Sequence, residues 1–201
     1  MLTHVHRPKG QVYQPEAVAK TVQRYGFAKS PNLDDLASNA YKFEIGKFDD
    51  VQIQEMGVYN DGVIVASRSN TKILDSFLDD LFKWLAGEFG IVSQTALKPE
   101  RYYESQLIIK SKIDLASTLK PASAVLNLFN QTWGERFDTK YGFAGFHLDC
   151  GPKYGGRRKP SHFSVERRVG LSFDENIFYS GAPLSTNDHL DLLTKLEALG
   201  G

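Results

Sequence analysis

The chain has 201 residues, 41% hydrophobic and 24% charged. This is ordinary globular usage, which excludes disorder of the whole chain and requires neither a disulfide nor a metal for stability. Lysine plus arginine and aspartate plus glutamate both count 24, giving a net charge of zero. That argues against a dedicated nucleic-acid or membrane-surface protein and leaves little repulsion between copies. The single cysteine, Cys150, cannot form an internal disulfide, which fits a reducing compartment.

The start, MLTHVHRPKGQ, lacks the apolar core of a signal peptide, and no run approaches a membrane span, so a cytoplasmic location is expected. Residues 1–14 carry turn formers without periodicity and read as an N-terminal arm. Pro15 opens a helix, where its missing N–H costs nothing, with Val18, Val22 and Tyr25 on one face and Gly26 as its stop. A short helical piece is expected at Leu33 to Ala37.

Tyr41, Phe43 and Ile45 alternate with polar residues, as a half-buried strand does. In the next strand Val51 and Ile53 share one parity and Met56 and Val58 the other, which predicts a bulge near Gln54-Glu55. Asn60-Asp61-Gly62 then marks a hairpin, because a tight type I′ turn needs φ > 0 at both central residues. Val63 to Ala66, without a polar break, reads as a central strand. From Thr71 the period changes to 3.6: Leu74, Leu78, Leu81 and Leu85, with Phe77 and Trp84 beside them, predict a helix that ends at Gly90.

Tyr102 to Lys110 reads as a strand. Pro121 sits in the first turn of a helix whose buried stripe is expected to be Ala122, Val125, Leu126, Phe129 and Trp133, ending at Gly134. Tyr141 to Cys150, His162 to Val169 and Asn176 to Ser180 read as three more strands. Ser185 with Asp188 resembles a capping box and opens a last helix, with Leu192, Leu193, Leu196 and Leu199 as its apolar face.

The expected fold is α+β, with a largely antiparallel sheet of about six to seven strands and packed helices. Residues 15–201 are taken as a single domain. The order βββα is a candidate for occurring twice, a pseudo-duplication in which residue identity between the halves is too low for a sequence repeat.

Three sets of residues are candidates for function. His147 and Asp149 fall on one strand face, and with His162 they supply the two histidines and carboxylate of a metal-dependent enzyme; the competing reading is a solvated strand face. Neither His189, placed in a helix, nor His4 and His6, placed in the arm, completes that set as well. The loop Gly151 to Pro160 gathers Lys153, Tyr154, Arg157, Arg158 and Lys159, a chemistry suited to phosphate or nucleic acid, although it matches no phosphate-loop pattern and a long, solvated hairpin loop is the simpler reading. Arg167 shares the parity of Phe163 and Val165, which draws it inward and calls for a carboxylate partner. Cys150 reads better as a small packed residue than as a nucleophile.

Tyrosines at element ends, among them Tyr13, Tyr25, Tyr102, Tyr103, Tyr141, Tyr154 and Tyr179, suit either rim packing or an interface. No catalytic set or cofactor is called for. The reading that best fits a neutral chain without a catalytic signature is a non-catalytic interaction module, binding a protein partner or itself. Nucleic-acid or phosphate binding through 151–160 stands second and the metal-dependent enzyme third.

Overall fold

A computed structural model describes residues 2–3, 14–32, 41–59, 62–90, 100–118, 120–134, 141–151 and 159–200. The arm beyond Leu2–Thr3, the helical piece expected at 33–37 and the turn residues 60–61 lie outside these residues. The chain divides into two compact units, Met1–Tyr103 and Glu104–Gly201.

The N-terminal unit contains β1 (Leu2–Thr3), α1 (Gln14–Tyr25), β2 (Tyr41–Phe48), β3 (Val51–Tyr59), β4 (Gly62–Ser67) and α2 (Thr71–Phe89). The C-terminal unit contains β5 (Ser105–Lys110), α3 (Lys120–Phe129), β6 (Gly145–Leu148), β7 (Phe163–Arg167), β8 (Ile177–Ala182) and α4 (Thr186–Gly200). The strands therefore form two four-stranded sheets, where the sequence pattern suggested one larger sheet. Their orders are β1-β4-β3-β2 and β5-β8-β7-β6, and every pairing is antiparallel.

Among the described residues each unit thus runs strand, helix, three strands, helix, short 3-10 and π turns aside, and each sheet places its first strand beside its last. The duplicated pattern extends beyond βββα to the preceding strand and helix.

In the N-terminal unit, periodicity translates directly into packing. Leu74, Phe77, Leu78 and Leu81 of α2 are buried against Phe43, Ile53, Met56, Val63 and Val65. Asn70 caps α2 by accepting from the Lys72 N–H at 2.9 Å, and Gly90 ends it in the left-handed region. Val18, Val22 and Tyr25 bring α1 onto the same core. The β3–β4 register shifts between Ile53 and Glu55, at the expected bulge.

One expectation for β2 fails. Ile45 is 46% exposed, and Gly46 takes the inward place. Ile45 adopts φ 58, which turns the alternation over at that residue. A Cβ on Gly46 would stand 2.4 Å from the Phe27 ring, so the close approach of that buried ring requires glycine.

The C-terminal core is built from Leu115, Ala116, Phe163, Val165, Phe178, Ala182 and Leu193, with Leu107, Ile109, Phe146, Leu192 and Leu196 packed around it. Three predicted strands are trimmed. Tyr102 and Tyr103 precede β5; Tyr141 to Ala144 precede β6; and β7 ends at Arg167. Leu199, expected on the buried face of α4, is 75% exposed in the last turn. Gly145 is required where β6 begins, since a Cβ there would meet the Val165 carbonyl oxygen at 2.1 Å.

Candidate functional site

The largest departure from expectation is α3. Of its predicted buried stripe, Val125 is 68% and Phe129 43% exposed, and Leu128 is exposed as well at 65%. Ala122 and Leu126 are half-buried, and the Trp133 side chain lies outside the description. No residue of α3 joins the described core. The reason is local: a short 3-10 turn, Leu115–Ser117, capped by Asp114, buries Leu115 and Ala116 in the C-terminal core before α3 begins.

Val125, Leu128 and Phe129 then follow at i, i+3 and i+4, forming one exposed stripe, and Thr132 lies in the π-helical turn Asn130–Gly134 that continues from α3. Thr132 donates its hydroxyl to the Leu128 carbonyl at 2.9 Å, and Tyr141 meets Phe129 edge-on with ring centroids 4.8 Å apart. Asn130 fixes this tyrosine in place: its side chain donates to the Tyr141 carbonyl at 3.0 Å and accepts from the Tyr141 N–H at 2.8 Å.

The β6–β7 hairpin places the histidine candidates. Register pairs His147 with Ser164 and Gly145 with Glu166, so His147 and Glu166 share the sheet face opposite Phe146 and Val165. The His147 and His162 rings lie 5.2 Å apart, and His147 Nε2 is 3.5 Å from Glu166 Oε1. Asp149 is engaged elsewhere. It accepts from Lys159 Nζ at 2.9 Å and from the Cys150 N–H, and the lysine, with a smaller contribution from His162, holds its carboxyl below the usual range.

The two histidines are thus together and the aspartate is turned to a lysine. No group of three or more His, Cys, Asp or Glu among the described residues is arranged to hold a metal ion. Of the basic-loop residues, Lys153, Tyr154, Arg157 and Arg158 lie outside the described residues; Lys159 is the one placed, in its ion pair with Asp149. Cys150 is a half-buried free thiol.

Arg167 behaves as its parity demands. Its side chain is 9% exposed and meets Asp114 at 2.5 Å, donates to the Phe143 and Phe173 carbonyls at 2.9 Å each, and lies over the Phe173 and Phe178 rings. A guanidinium this fully matched to acceptors is a structural clamp joining the β6 approach, the 3-10 turn and β8.

Sequence reasoning missed the buried polar hub of the C-terminal unit. His189, in the first turn of α4, is fully buried. Its Nδ1 lies 2.8 Å from Ser105 Oγ on β5, and its Nε2 lies 2.8 Å from Ser180 Oγ on β8. Ser180 donates its hydroxyl proton to the Ser164 carbonyl at 2.7 Å. Its oxygen therefore accepts from Nε2–H, which leaves the Nδ1 lone pair to accept from Ser105.

Burial lowers the His189 pKa and keeps the imidazole neutral, as this arrangement requires. A serine donating to a histidine resembles the start of a nucleophilic pair. Here, however, Ser180 in place of a carboxylate stands behind the ring, and Ser105 is 6% exposed. The cluster pins α4 to the sheet. The signal was present in the spacing of His189, Leu193 and Leu196 at i, i+4 and i+7.

Chemistry-bearing groups in the N-terminal unit are likewise tied to their neighbours. Tyr25 donates to Asp80 at 2.7 Å, Arg24 pairs with the same carboxylate, and Arg101 and Tyr103 converge on Asp75. Tyr25 is thus a core residue, not an element-end interface tyrosine. The open face of its sheet is laced by Lys42 with Glu44 and Glu55, and by Lys29 with Glu44.

The chain matches no family model, no curated protein and no solved structure. No helix among the described residues is long and apolar enough to cross a membrane.

Proposed function

We propose that the protein is a non-catalytic interaction module acting in the cytoplasm, as a subunit of a homo- or hetero-oligomeric assembly. The observation that carries this reading is the exposed stripe of α3. Val125, Leu128 and Phe129 are each more than two-fifths exposed, on a helix whose topological counterpart, α1, is seated on its core. Clustered exposed apolar side chains of this kind mark association surfaces. The bound state of Arg167 and His189 supports the same reading, because the most chemically capable buried groups are already satisfied within the fold.

The test is light scattering on the purified full chain together with recovery of partners from its native host. A mass above one chain, or a stoichiometric co-purifying protein, is expected. A stable monomer from micromolar to millimolar concentration with no partner would refute the reading.

A second reading, a metal-dependent enzyme using His147, Asp149 and His162, has one observation in its favour: the 5.2 Å approach of the two histidine rings. It requires Asp149 to leave Lys159. Elemental analysis of the native protein decides it, since stoichiometric transition metal lost on His147→Ala would favour this reading over the first.

A further inference from the structure

We infer that His147 and His162 form a two-histidine site for a zinc-type divalent cation, which clips the edge strand β6 to β7, with Glu166 as its positioning residue. The site goes beyond the interaction reading. It shares its histidines with the enzyme reading but not its aspartate, since Asp149 stays with Lys159.

Register brings the groups together. His147 faces Ser164 across the β6–β7 pair, and His162 follows one step beyond the Leu148–Phe163 pair. His162 and Glu166 therefore flank His147 on the sheet face opposite Phe146 and Val165, one on each diagonal. Diagonal neighbours in an antiparallel pair start about 7–8 Å apart, so rings centred 5.2 Å apart lean toward each other. Ser164, small and buried, lies between them and leaves room.

The separation fits a single ion. With Zn–N bonds of about 2.0–2.1 Å, two imidazoles on one tetrahedral ion place their ring centres about 5 Å apart. Both histidines are exposed, so a hydrated cation reaches them without local unfolding. Imidazole selects Zn²⁺, Ni²⁺ and Cu²⁺ over Ca²⁺ and Mg²⁺, which prefer oxygen. Two protein ligands leave the remaining positions to water, so binding is weaker and more reversible than in a closed four-ligand site.

Glu166 supplies charge and tautomer. Its Oε1 stands 3.5 Å from His147 Nε2, and among the described residues no lysine or arginine pairs with it. Gly145, directly across from Glu166, has no side chain to block that reach. A carboxylate at Nε2 favours the proton there and leaves the Nδ1 lone pair for the metal. The clip has a mechanical consequence. β6 is an edge strand of 4 residues paired with β7. A metal bridge beside the Asp149–Lys159 ion pair closes the chain excursion from β6 to β7 at its base.

Calorimetric titration of the full chain with zinc chloride tests this, in a His4→Ala/His6→Ala background that removes the N-terminal pair. One ion should bind per chain. His147→Ala and His162→Ala should each lower the affinity by more than about tenfold, and Glu166→Ala by about 10–100-fold. Glu166→Gln, which keeps an acceptor without the charge, should fall between Glu166→Ala and the parent. Asp149→Ala should change the affinity less than any of these. Zinc should move the NMR ring signals of His147 and His162, leave those of His189, and slow amide exchange in β6. Melts of the histidine variants without zinc should match the parent, since both side chains are exposed.

No binding at about 1 mM zinc, or binding that survives His147→Ala/His162→Ala, would overturn the site. A loss on Asp149→Ala as large as on His147→Ala would overturn this ligand set in favour of the enzyme reading. An unchanged affinity in Glu166→Ala would overturn the role of Glu166. A chain that binds zinc as described yet stays single, with no partner, would sustain the clip and refute the interaction reading.

Discussion

The two units share one topology and solve its packing differently. In the N-terminal unit, α1 and α2 both reach the core, and aromatic rings fill it: Tyr25 stands edge-on to Phe77 at 4.9 Å, and Phe27 lies 5.2 Å from Phe43. In the C-terminal unit the core takes a 3-10 turn where its counterpart takes a helix. The remaining space is organised by polar groups, Arg167 on Asp114 and His189 between two serines. The difference teaches that strand order does not dictate which helix closes a sheet. Among the described residues, both helices of the unit with the larger apolar core are seated on it, whereas in the unit held by polar pins α3 keeps Val125 and Leu128 exposed.

The comparison breaks most sharply at the centre of each core. Phe77→Ala removes a fully buried ring and should destabilise the N-terminal unit by about 3–5 kcal/mol. Arg167→Ala should cost the C-terminal unit less, about 2–4 kcal/mol. It strands Asp114 and two carbonyls, but Asp114 is one-third exposed and regains water. Amide hydrogen exchange on each variant would assign the loss. If Arg167→Ala leaves the protection of β6, β7 and β8 unchanged, the polar clamp does not hold this unit.

Acid should separate the units next. Burial depresses the His189 pKa, so the folded state favours the neutral ring and the unfolded state binds the extra proton. The stability this contributes is complete above the unfolded value near 6.5. It is lost as pH falls below that value toward the folded pKa. Among the described residues the N-terminal unit has no histidine, so exchange protection should weaken in α4 and β8 first. His189→Leu should cost about 1–3 kcal/mol at pH 8, because Ser105 loses its acceptor, yet flatten the pH dependence between about 6.5 and 5. An unchanged acid slope in that variant would assign the effect to another group.

How much of this was legible follows from what periodicity can carry. Leu74, Leu78 and Leu81 were readable because a 3.6-residue repeat is itself the burial pattern, and the β3 bulge because Met56 breaks the parity of Ile53. Ile45 was not readable: the sequence alternates cleanly, while the backbone turns over at φ 58 to let Phe27 onto Gly46. Arg167 was legible by parity, but its partner Asp114 lies far back in the chain. A histidine at 189 invites a metal reading from its residue type, and only its spacing to Leu193 points inward. For α3, periodicity revealed an apolar face; whether anything covers that face is a tertiary fact that spacing does not contain.

The finest test of the comparison is a matched pair of small truncations. Val22 on α1 is partly buried against the N-terminal core, and Val125 on α3 is 68% exposed. Removing two methyl groups from Val22 should cost about 1–2 kcal/mol, from lost burial and imperfect refilling. Val125→Ala should change the stability of the isolated chain by less than about 0.5 kcal/mol, because its methyls already face water and alanine is the better helix former. The two variants should exchange rank when assembly is measured: Val22→Ala should leave the mass distribution alone, and Val125→Ala should shift it toward single chains. Equal effects on stability would mean that α3 is seated as α1 is, and the asymmetry between the units would disappear.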